Sequence, residues 1–188
     1  MARPPSEEPE GLIYRPELLT VDEEADLLRV LEELRFDPIV IHGQAARRTA
    51  RHFGLDYDYE ARTPQPGEAV PDWILPVRAQ AADLAGHEPE ELVEVLVQRY
   101  PPGSTIGWHR DAPAFGNVVG VSLGSPCVMR FQRGSGPARR VYEQPLEPRS
   151  AYVLSGPSRS AWQHSIPATA ALRYSVTFRT VRNPEKWT

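Results

Sequence analysis

The spacing of apolar residues divides the chain into a helical first part and a β-rich second part. Leucine and alanine recur at helical spacing after Thr20 and Glu23, which form a capping-box pattern, so the sequence predicts an amphipathic helix over about residues 21–35. A second helix is predicted from Pro76 to Ala85, because Gly86 follows it as a stop signal.

From residue 92 onward, short runs rich in β-formers alternate with turns that contain proline and glycine. The predicted strands are Leu92–Tyr100, Val118–Leu123, Cys127–Gln132, Arg139–Tyr142, Ser150–Leu154 and Arg173–Thr180. This succession is typical of an all-β sandwich or barrel and not of alternating βαβ units. The sequence therefore predicts a mainly β (α+β) fold, a jelly roll preceded by two helices.

Length and composition indicate one globular domain. The 188 residues are 40% hydrophobic and 24% charged, which is enough for a real core. Residues 1–10 are rich in proline and glutamate, so we expect a disordered tail there and a single domain over residues 11–188. Within that domain, residues 11–91 hold the helices and residues 92–182 the jelly roll.

The chain has no sign of export or of a membrane span. Its opening stretch has no apolar core of a signal peptide, and no run approaches 18 apolar residues. Cys127 is the only cysteine, which fits a reducing compartment. We therefore expect a cytoplasmic protein, and since nothing predicts an obligate dimer, a monomer.

Charge is distributed unevenly, although the net charge is only −4. Residues 1–40 carry 11 acidic and 4 basic side chains, so the remainder of the chain is mildly basic. This balance argues against a protein that coats nucleic acid non-specifically, but it leaves local anion recognition open.

His109, Asp111 and His164 are candidate metal ligands. Side chains two apart on an extended segment point the same way, so His109 and Asp111 can reach one metal. His164 lies 55 positions later, and a jelly roll can bring such distant segments together. Two imidazoles and one carboxylate leave three octahedral positions open, as in non-haem Fe(II) oxygenases. Because an isolated H-x-D triplet is a weak signal, a surface loop pair is the alternative.

Arg173 and Arg179 are candidate anion contacts. Their even spacing of six places both on one face of the last predicted strand. Two inward guanidinium groups would be costly without anionic partners, and a dicarboxylate fits. The alternative is that one or both face solvent or pair with acidic residues.

The chain resembles the AlkB family of Fe(II)- and 2-oxoglutarate-dependent dioxygenases over roughly residues 10–182. The resemblance rests on six segments: Gln98-Arg99-Tyr100-Pro101-Pro102-Gly103, Gly107-Trp108-His109-Arg110-Asp111, Val121-Ser122-Leu123-Gly124, Pro148-Arg149-Ser150 with Val153-Leu154-Ser155-Gly156, Trp162-Gln163-His164, and the strand from Arg173 to Arg179. Each segment is weak alone, but together they are specific.

The resemblance implies a fold, cofactors and roles. The fold would be a double-stranded β-helix with an N-terminal nucleotide-recognition lid. His109, Asp111 and His164 would bind Fe(II), and 2-oxoglutarate would be the co-substrate for activating O₂. The implied co-substrate contacts are Gln98, Tyr100, Arg173, Ser175 and Arg179.

Three positions depart from the family pattern. Gln98 and Ser175 stand where the family often has asparagine, and Ser175 is the shorter replacement. Pro113 stands where some repair members carry an acidic residue that contacts the base. Proline can make no such bond.

Residues 47–59 mix arginine and aromatic residues without helical period, which indicates strand and loop, and they resemble the family's substrate lid. The predicted substrate contacts are Arg51, His52, Phe53, Tyr57 and Tyr59, with Trp108 beside the metal ligand. Arginines with aromatics suit a flipped or single-stranded nucleotide. The alternative is that these aromatics are core residues and the arginines are solvated.

The expected reaction is oxidative demethylation of N-alkylated bases in single-stranded DNA or RNA, with release of formaldehyde, succinate and CO₂. The His52-Phe53-Gly54 segment also looks like the family's tRNA-modifying branch, so hydroxylation of a wobble uridine is the second hypothesis. A protein or small-molecule hydroxylase is the third. A non-enzymatic binding module on the same scaffold also remains open, because fold alone does not establish chemistry.

Overall fold

A computed structural model describes residues 6–41, 43–58 and 63–183 of the chain. Within these ranges the α-helices are α1 (Val21–Glu33), α2 (Leu75–Ala85) and α3 (Gly156–Ser160). The strands are β1 (Leu12–Arg15), β2 (Asp37–Ile41), β3 (Gln44–Asp58), β4 (Thr63–Pro66), β5 (Glu94–Tyr100), β6 (Ile106–His109), β7 (Phe115–Leu123), β8 (Cys127–Arg133), β9 (Arg140–Leu146), β10 (Ala151–Leu154), β11 (Gln163–Ile166) and β12 (Arg173–Val181).

The strands form two antiparallel sheets. The major sheet has the order β1-β10-β7-β12-β5-β3-β2, with β4 paired to β3, and the minor sheet has the order β6-β11-β8-β9. This sheet-rich architecture confirms the predicted jelly-roll fold. None of the helices in the described ranges has the length and apolar character that spanning a membrane requires.

Two hydrophobic clusters lie on opposite faces of the major sheet. On the outer face, residues such as Val176 and Phe178 of β12 pack against Leu31 of α1 and Ile74 ahead of α2. On the inner face, a smaller cluster fills the space between the sheets, where Phe131 of β8 packs with major-sheet residues. Alternation along β12 therefore sends even-numbered side chains to the helices and odd-numbered ones to the interior.

The two predicted long helices are confirmed. The capping box of α1 is present, since the Thr20 amide donates to Glu23 Oε2 at 2.7 Å and the Glu23 amide donates to Thr20 Oγ1 at 3.2 Å. α1 ends at Glu33, two residues before the predicted end. α2 begins at Leu75 and ends at Ala85, and it is capped by Gly86, whose φ of +70° is the left-handed conformation that glycine adopts readily.

The six predicted strands all occur, with ends shifted by a few residues. β3 is longer than predicted, since residues 44–58 form one continuous strand where strand and loop were expected. Strands β1, β2, β4, β6 and β11 were not predicted. Most are only four residues long, too short to show an alternating pattern.

The beginning of the described chain is ordered against the body of the protein. The Glu7 amide donates to the Val141 carbonyl at 3.1 Å, and the Ser158 amide donates to the Glu10 carbonyl at 2.8 Å. Residues 6–10 therefore differ from the disordered tail that the sequence predicts over residues 1–10. Residues 1–5 lie outside the described ranges.

Candidate active site

His109, Asp111 and His164 converge at one end of the minor sheet. His109 ends β6 and lies opposite His164 of β11 in the antiparallel register, with ring centroids 4.3 Å apart. Asp111 follows two residues after His109. One potential ligand atom from each of the three residues lies within 4.8 Å of the others. The strand pairing thus brings together three residues that are as much as 55 positions apart in sequence.

Hydrogen bonding fixes which imidazole nitrogen of His109 is available. Nδ1 of His109 lies 2.9 Å from the Gly107 carbonyl, which can only accept, so Nδ1 carries the proton. Nε2 then keeps its lone pair for a metal, the usual arrangement for a ligand held by a backbone carbonyl. Burial lowers the pKa of His164 to about 4, so the His164 imidazole is neutral near pH 7.

Asp111 uses one oxygen for Arg179 and leaves the other free. Arg179 donates to Asp111 Oδ1 from Nε at 2.9 Å and from Nη2 at 2.6 Å. Burial opposes ionisation of Asp111, but the adjacent Arg179 more than compensates and holds the pKa of Asp111 below its usual value. Oδ2 is buried, has no hydrogen-bond partner among the residues that the structure describes, and lies 3.5 Å from His164 Nε2.

These atoms fit a divalent metal ion. A buried carboxylate oxygen without a donor is costly unless a cation compensates it. Here that oxygen faces two imidazoles, and the set of two nitrogens and one oxygen is the one used for non-haem Fe(II). His109, Asp111 and His164 could therefore hold Fe(II) with further positions open.

Glu94 is a second partner of Arg179 and was not predicted. It lies on the inward face of β5, is only 2% exposed, and accepts a hydrogen bond from Arg179 Nη1 at 2.7 Å. Burial raises the pKa of Glu94 to about 6, although the adjacent Arg179 acts to lower it. The positive charge of Arg179 is thus already compensated by two protein carboxylates. An anionic ligand, which the sequence had suggested, is therefore not required to compensate it.

Arg173 has no carboxylate partner in the described part of the chain. Its side chain is 1% exposed and stacks over the Tyr100 ring, with Cζ 4.7 Å from the ring centroid. Nε donates to Ser122 Oγ at 3.0 Å, while Nη1 has no hydrogen-bond acceptor within the described chain. A buried guanidinium with an unused donor fits an anionic ligand, and the distal carboxylate of 2-oxoglutarate is such a group.

The other predicted co-substrate residues surround Arg173. Ser175 lies opposite Gln98 and Ser122 in the neighbouring strands, and its buried hydroxyl has no hydrogen-bond partner within the described ranges. Tyr100 donates its hydroxyl proton to Gln98 Oε1 at 2.8 Å. The residues that the sequence proposes for the co-substrate are therefore brought together on the inward face of the major sheet.

Arg159 organises the loop after the metal ligands and was also missed. It is 5% exposed and donates to the carbonyls of Ala112, Phe115 and Gly116 at 2.7–2.9 Å. These bonds fix the segment that begins at Asp111. Arg159 lies in the short helix α3, and nothing in its sequence context signalled an inward-facing arginine.

A cleft of about 1430 Å³ opens over the triad. Among the described residues, its lining contains a single carboxylate, Asp111. It also contains five arginines, which are Arg48, Arg110, Arg159, Arg179 and Arg182. Arg48 and Arg159 hydrogen-bond to carbonyls, which orients their charge without neutralising it. The cleft is therefore electropositive apart from the metal carboxylate.

Two of the predicted substrate residues line this cleft, His52 and Trp108. Trp108 is 39% exposed at the rim. Burial lowers the pKa of His52, which favours its neutral imidazole. Both side chains are placed where an organic substrate would meet the metal.

The structure places Arg51 and Phe53 away from the cleft. They alternate with His52 along β3 and so point to the opposite face of the sheet. Phe53 is 3% exposed in the outer core and meets Trp73 edge-on at 6.1 Å. Arg51 pairs with Asp37 and Glu68. Neither residue lines the cleft, so the structure does not bring them together with His52 and Trp108, and their contacts with a base or phosphate stay predictions. The side chain of Tyr57 and the whole of Tyr59 lie outside what the structure describes.

Comparison with known proteins agrees with this site. Residues 12–179 match the model of the 2OG-Fe(II) oxygenase superfamily. These oxygenases use Fe(II), 2-oxoglutarate and O₂. The chain also has the fold of the solved structure of OsALKBH1, with a TM-score of 0.72 and 17% identity over 92% of this chain and 97% of that chain.

Among curated relatives, "Alkylated DNA repair protein ALKBH8 homolog" of Arabidopsis thaliana is 27% identical over 92% of this chain and 59% of its own length. "tRNA (carboxymethyluridine(34)-5-O)-methyltransferase ALKBH8" of Mus musculus is 28% identical over 84% of this chain and 24% of its own length. The chain thus spans only part of these two relatives. "Alpha-ketoglutarate-dependent dioxygenase AlkB" of Salmonella typhimurium is 34% identical over 73% of this chain and 68% of its own length. The chain therefore belongs to the AlkB family of Fe(II)- and 2-oxoglutarate-dependent dioxygenases.

Proposed function

We propose that the protein oxidatively removes N-alkyl groups from bases of single-stranded DNA or RNA. The observation that carries this proposal is the electropositive cleft over the triad, where carbonyl-bound arginines keep their charge. A nucleotide brings phosphates to such a cleft and a base to its aromatic rim. The printed name of the Arabidopsis relative, an alkylated DNA repair protein, supports the same substrate class.

Trp108 is the residue we assign to the base. It is exposed at the rim and is adjacent in sequence to the ligand His109, so a base stacked on it would lie beside the metal. Base stacking on an aromatic side chain tolerates any sequence because every base has a π-face. His52, on strand β3 in the lining of the cleft, is a neutral hydrogen-bonding group for the base edge.

The protein residues contribute position and exclusion of water. His109, Asp111 and His164 would hold the metal, Arg173 would bind the distal carboxylate of the co-substrate, and Arg179 fixes Asp111. When bound, Fe(II) and 2-oxoglutarate activate O₂ and supply the oxidising power that hydroxylates an N-alkyl carbon. If the carbon is an N-methyl group, the hydroxylated product breaks its C–N bond and releases formaldehyde, and no protein acid or base is assigned to this step.

We also propose a division of labour along the chain. Arg48 and His52, which face the cleft, belong to residues 11–91, whereas the metal and co-substrate residues all belong to residues 92–182. The first segment would then recognise substrate and the second would carry the chemistry. The monomeric state and the cytoplasmic location stay predictions.

The test is a coupled assay on defined oligonucleotides. Protein with Fe(II) and 2-oxoglutarate is incubated with N-methylated single-stranded DNA and RNA, with the same unmethylated oligonucleotides as controls. We expect formaldehyde and succinate in equal amounts from the methylated strands, and none from Asp111→Asn. Intact methyl groups on every DNA and RNA tested would reject this substrate.

Hydroxylation of a tRNA wobble uridine is the second candidate. The similarity to the mouse relative, whose name describes chemistry at uridine 34 of tRNA, favours it, as does the His52-Phe53-Gly54 segment. Mass spectrometry of tRNA nucleosides separates the two reactions. Addition of one oxygen without formaldehyde indicates hydroxylation, and loss of a methyl group with formaldehyde indicates demethylation.

A further inference from the structure

Trp108 borders two depressions of the protein surface. It lines the cleft over the triad and also a groove of about 200 Å³ on the outer face of the minor sheet. The other residues that line the groove include Arg130 of β8, Val141 and Glu143 of β9, and Arg139, which directly precedes β9. The groove therefore adjoins the cleft at Trp108 and leads away from the metal site.

Strand alternation explains why Arg130 lies in this groove. Met129 and Phe131 of β8 are buried between the two sheets, so Arg130 between them points to the outer face. Trp108 is carried by β6, and β11 is the one strand between β6 and β8. Two strand spacings, about 10 Å, therefore separate the strand of Trp108 from the strand of Arg130.

A row of hydrogen-bonded side chains crosses the outer face towards Trp108. Arg139 donates from Nη2 to Gln132 Oε1 at 2.9 Å, and Gln132 donates from Nε2 to Gln163 Oε1 at 3.1 Å. Gln163 belongs to β11, the neighbour of β6. Arg139 is thus held over the sheet by a neutral amide, and no carboxylate in the described ranges pairs with its guanidinium. Its positive charge is therefore available to an anion.

The charge of Arg130 is only weakly compensated. Its Nε lies 3.2 Å from Glu143 Oε1, but the two side chains are 48% and 53% exposed. An ion pair with this exposure to water contributes little, so a phosphate can take the place of the carboxylate. The nearby Arg133 and Arg140 differ, because both lie beside Glu7, at 4.0 Å and 3.4 Å.

We propose that this groove binds the sugar-phosphate backbone of nucleotides that flank the reacting base, with Arg130 and Arg139 as phosphate contacts. The inference rests on the proposed nucleic-acid substrate, and it adds a path for the strand outside the cleft. An exposed aromatic residue next to arginines suits a single strand, because a base stacks on the ring and phosphates pair with the guanidinium groups. A base on Trp108 places its neighbours over β11 and β8.

The test measures how affinity depends on the length of the ligand. The ligands are an N-methylated nucleoside monophosphate and a twelve-nucleotide single strand with the same methylated base at its centre. Calorimetry with 2-oxoglutarate and with Mn(II) in place of Fe(II) gives their Kd values without turnover. The variant is Arg130→Ala/Arg139→Ala. The matched control is Arg29→Ala/Arg35→Ala, which removes the same charge from two exposed arginines on the helical side of the major sheet.

We expect the Kd of the strand to rise roughly tenfold at low salt in Arg130→Ala/Arg139→Ala. The Kd of the nucleoside monophosphate should stay at the wild-type value, because this ligand occupies only the cleft, and that value also shows that the variant is folded. The slope of log K against log salt for the strand should become less steep by about 1.4, since each phosphate contact in a single strand contributes about 0.7. The control variant should leave all of these quantities unchanged.

The failure of the groove and the failure of the proposed reaction give different results. An unchanged Kd of the strand in Arg130→Ala/Arg139→Ala would overturn the groove, as would an equal loss of affinity for both ligands. Formaldehyde release from the strand, measured with Fe(II), tests the reaction separately. If the strand binds as expected and no formaldehyde forms, demethylation is rejected while the groove stands. If the wild type does not bind the strand, the groove is overturned together with the nucleic-acid substrate.

Discussion

The guanidinium of Arg179 occupies one carboxylate oxygen of Asp111 and thereby directs the other towards the metal position. Nε and Nη2 both bind Oδ1, while Oδ2 faces His164 Nε2 at 3.5 Å. The third donor, Nη1, binds Glu94. Glu94, Arg179 and Asp111 thus form a buried chain that ends at the metal site, and groups that orient a metal ligand in this way contribute to metal affinity.

Replacement of Arg179 by lysine should weaken metal binding. Arg179→Lys keeps the positive charge but loses the planar fork that binds Oδ1 twice and Glu94 once. We expect the Kd for Fe(II), measured anaerobically, to rise roughly 10- to 100-fold. Arg51→Lys is the matched control, since Arg51 forms its ion pairs on the outer face of the sheet. Equal affinities of Arg179→Lys and the wild type for Fe(II) would show that other groups orient Asp111.

Glu94 should make stability depend on pH in the metal-free protein. Its pKa is raised from 4.5 to about 6, so between these values the folded state binds more protons than the unfolded state. The contribution of Glu94 to the free energy of unfolding is therefore greatest below pH 4.5. This contribution, about 2 kcal/mol, is lost as pH rises through 6.

Glu94→Gln removes this titration. Urea unfolding in the presence of a chelator gives the free energy of unfolding of the wild type and of Glu94→Gln. Between pH 4.5 and 6 the free energy of unfolding of the wild type should fall relative to that of Glu94→Gln, and at higher pH the difference should stay constant. Parallel pH profiles for the two proteins across this range would mean that Glu94 has an ordinary pKa in the fold.

His109→Ala should abolish turnover with little loss of stability. His109 is half-exposed at the end of a short strand, so its loss should change the free energy of unfolding by no more than about 1 kcal/mol. Decarboxylation of 2-oxoglutarate should cease because the metal loses a ligand. His87→Ala is the control, since His87 bonds to Asn117 and Glu91 outside the cleft and should retain full turnover. Residual iron-dependent turnover in His109→Ala would remove this residue from the ligand set.

The sequence predicted the long periodic elements and the residues that carry the resemblance. α1 and α2 have caps and helical spacing, and β12 has alternating side chains over nine residues, so local patterns suffice for them. The four-residue strands β6 and β11 have no such pattern, although they bring His109 opposite His164. Their pairing is decided by the register of the whole minor sheet.

Charge partners were harder to predict than ligand candidates. The spacing of Arg173 and Arg179 placed both side chains on one face of the strand. It could not show that Glu94, 85 residues before Arg179, pairs with Arg179 and not with Arg173. An acidic residue in the apolar strand β5, at even spacing from Gln98, was the available signal. The placement of Phe53 was hard to predict for a related reason, because motif resemblance does not tell which face of β3 meets the cleft.

Trp108 and Phe53 should therefore give opposite phenotypes when they are truncated. Phe53→Ala removes a core ring and should cost about 3–5 kcal/mol of unfolding free energy. Trp108→Ala removes a half-exposed rim residue and should cost less than about 1 kcal/mol, yet weaken binding of a single-stranded oligonucleotide by about 1–3 kcal/mol. Urea unfolding and fluorescence anisotropy with a labelled strand measure the two effects. If Phe53→Ala, at a temperature where it is folded, lost more affinity than Trp108→Ala, the base would bind on the other face of β3 and the cleft would not be the substrate site.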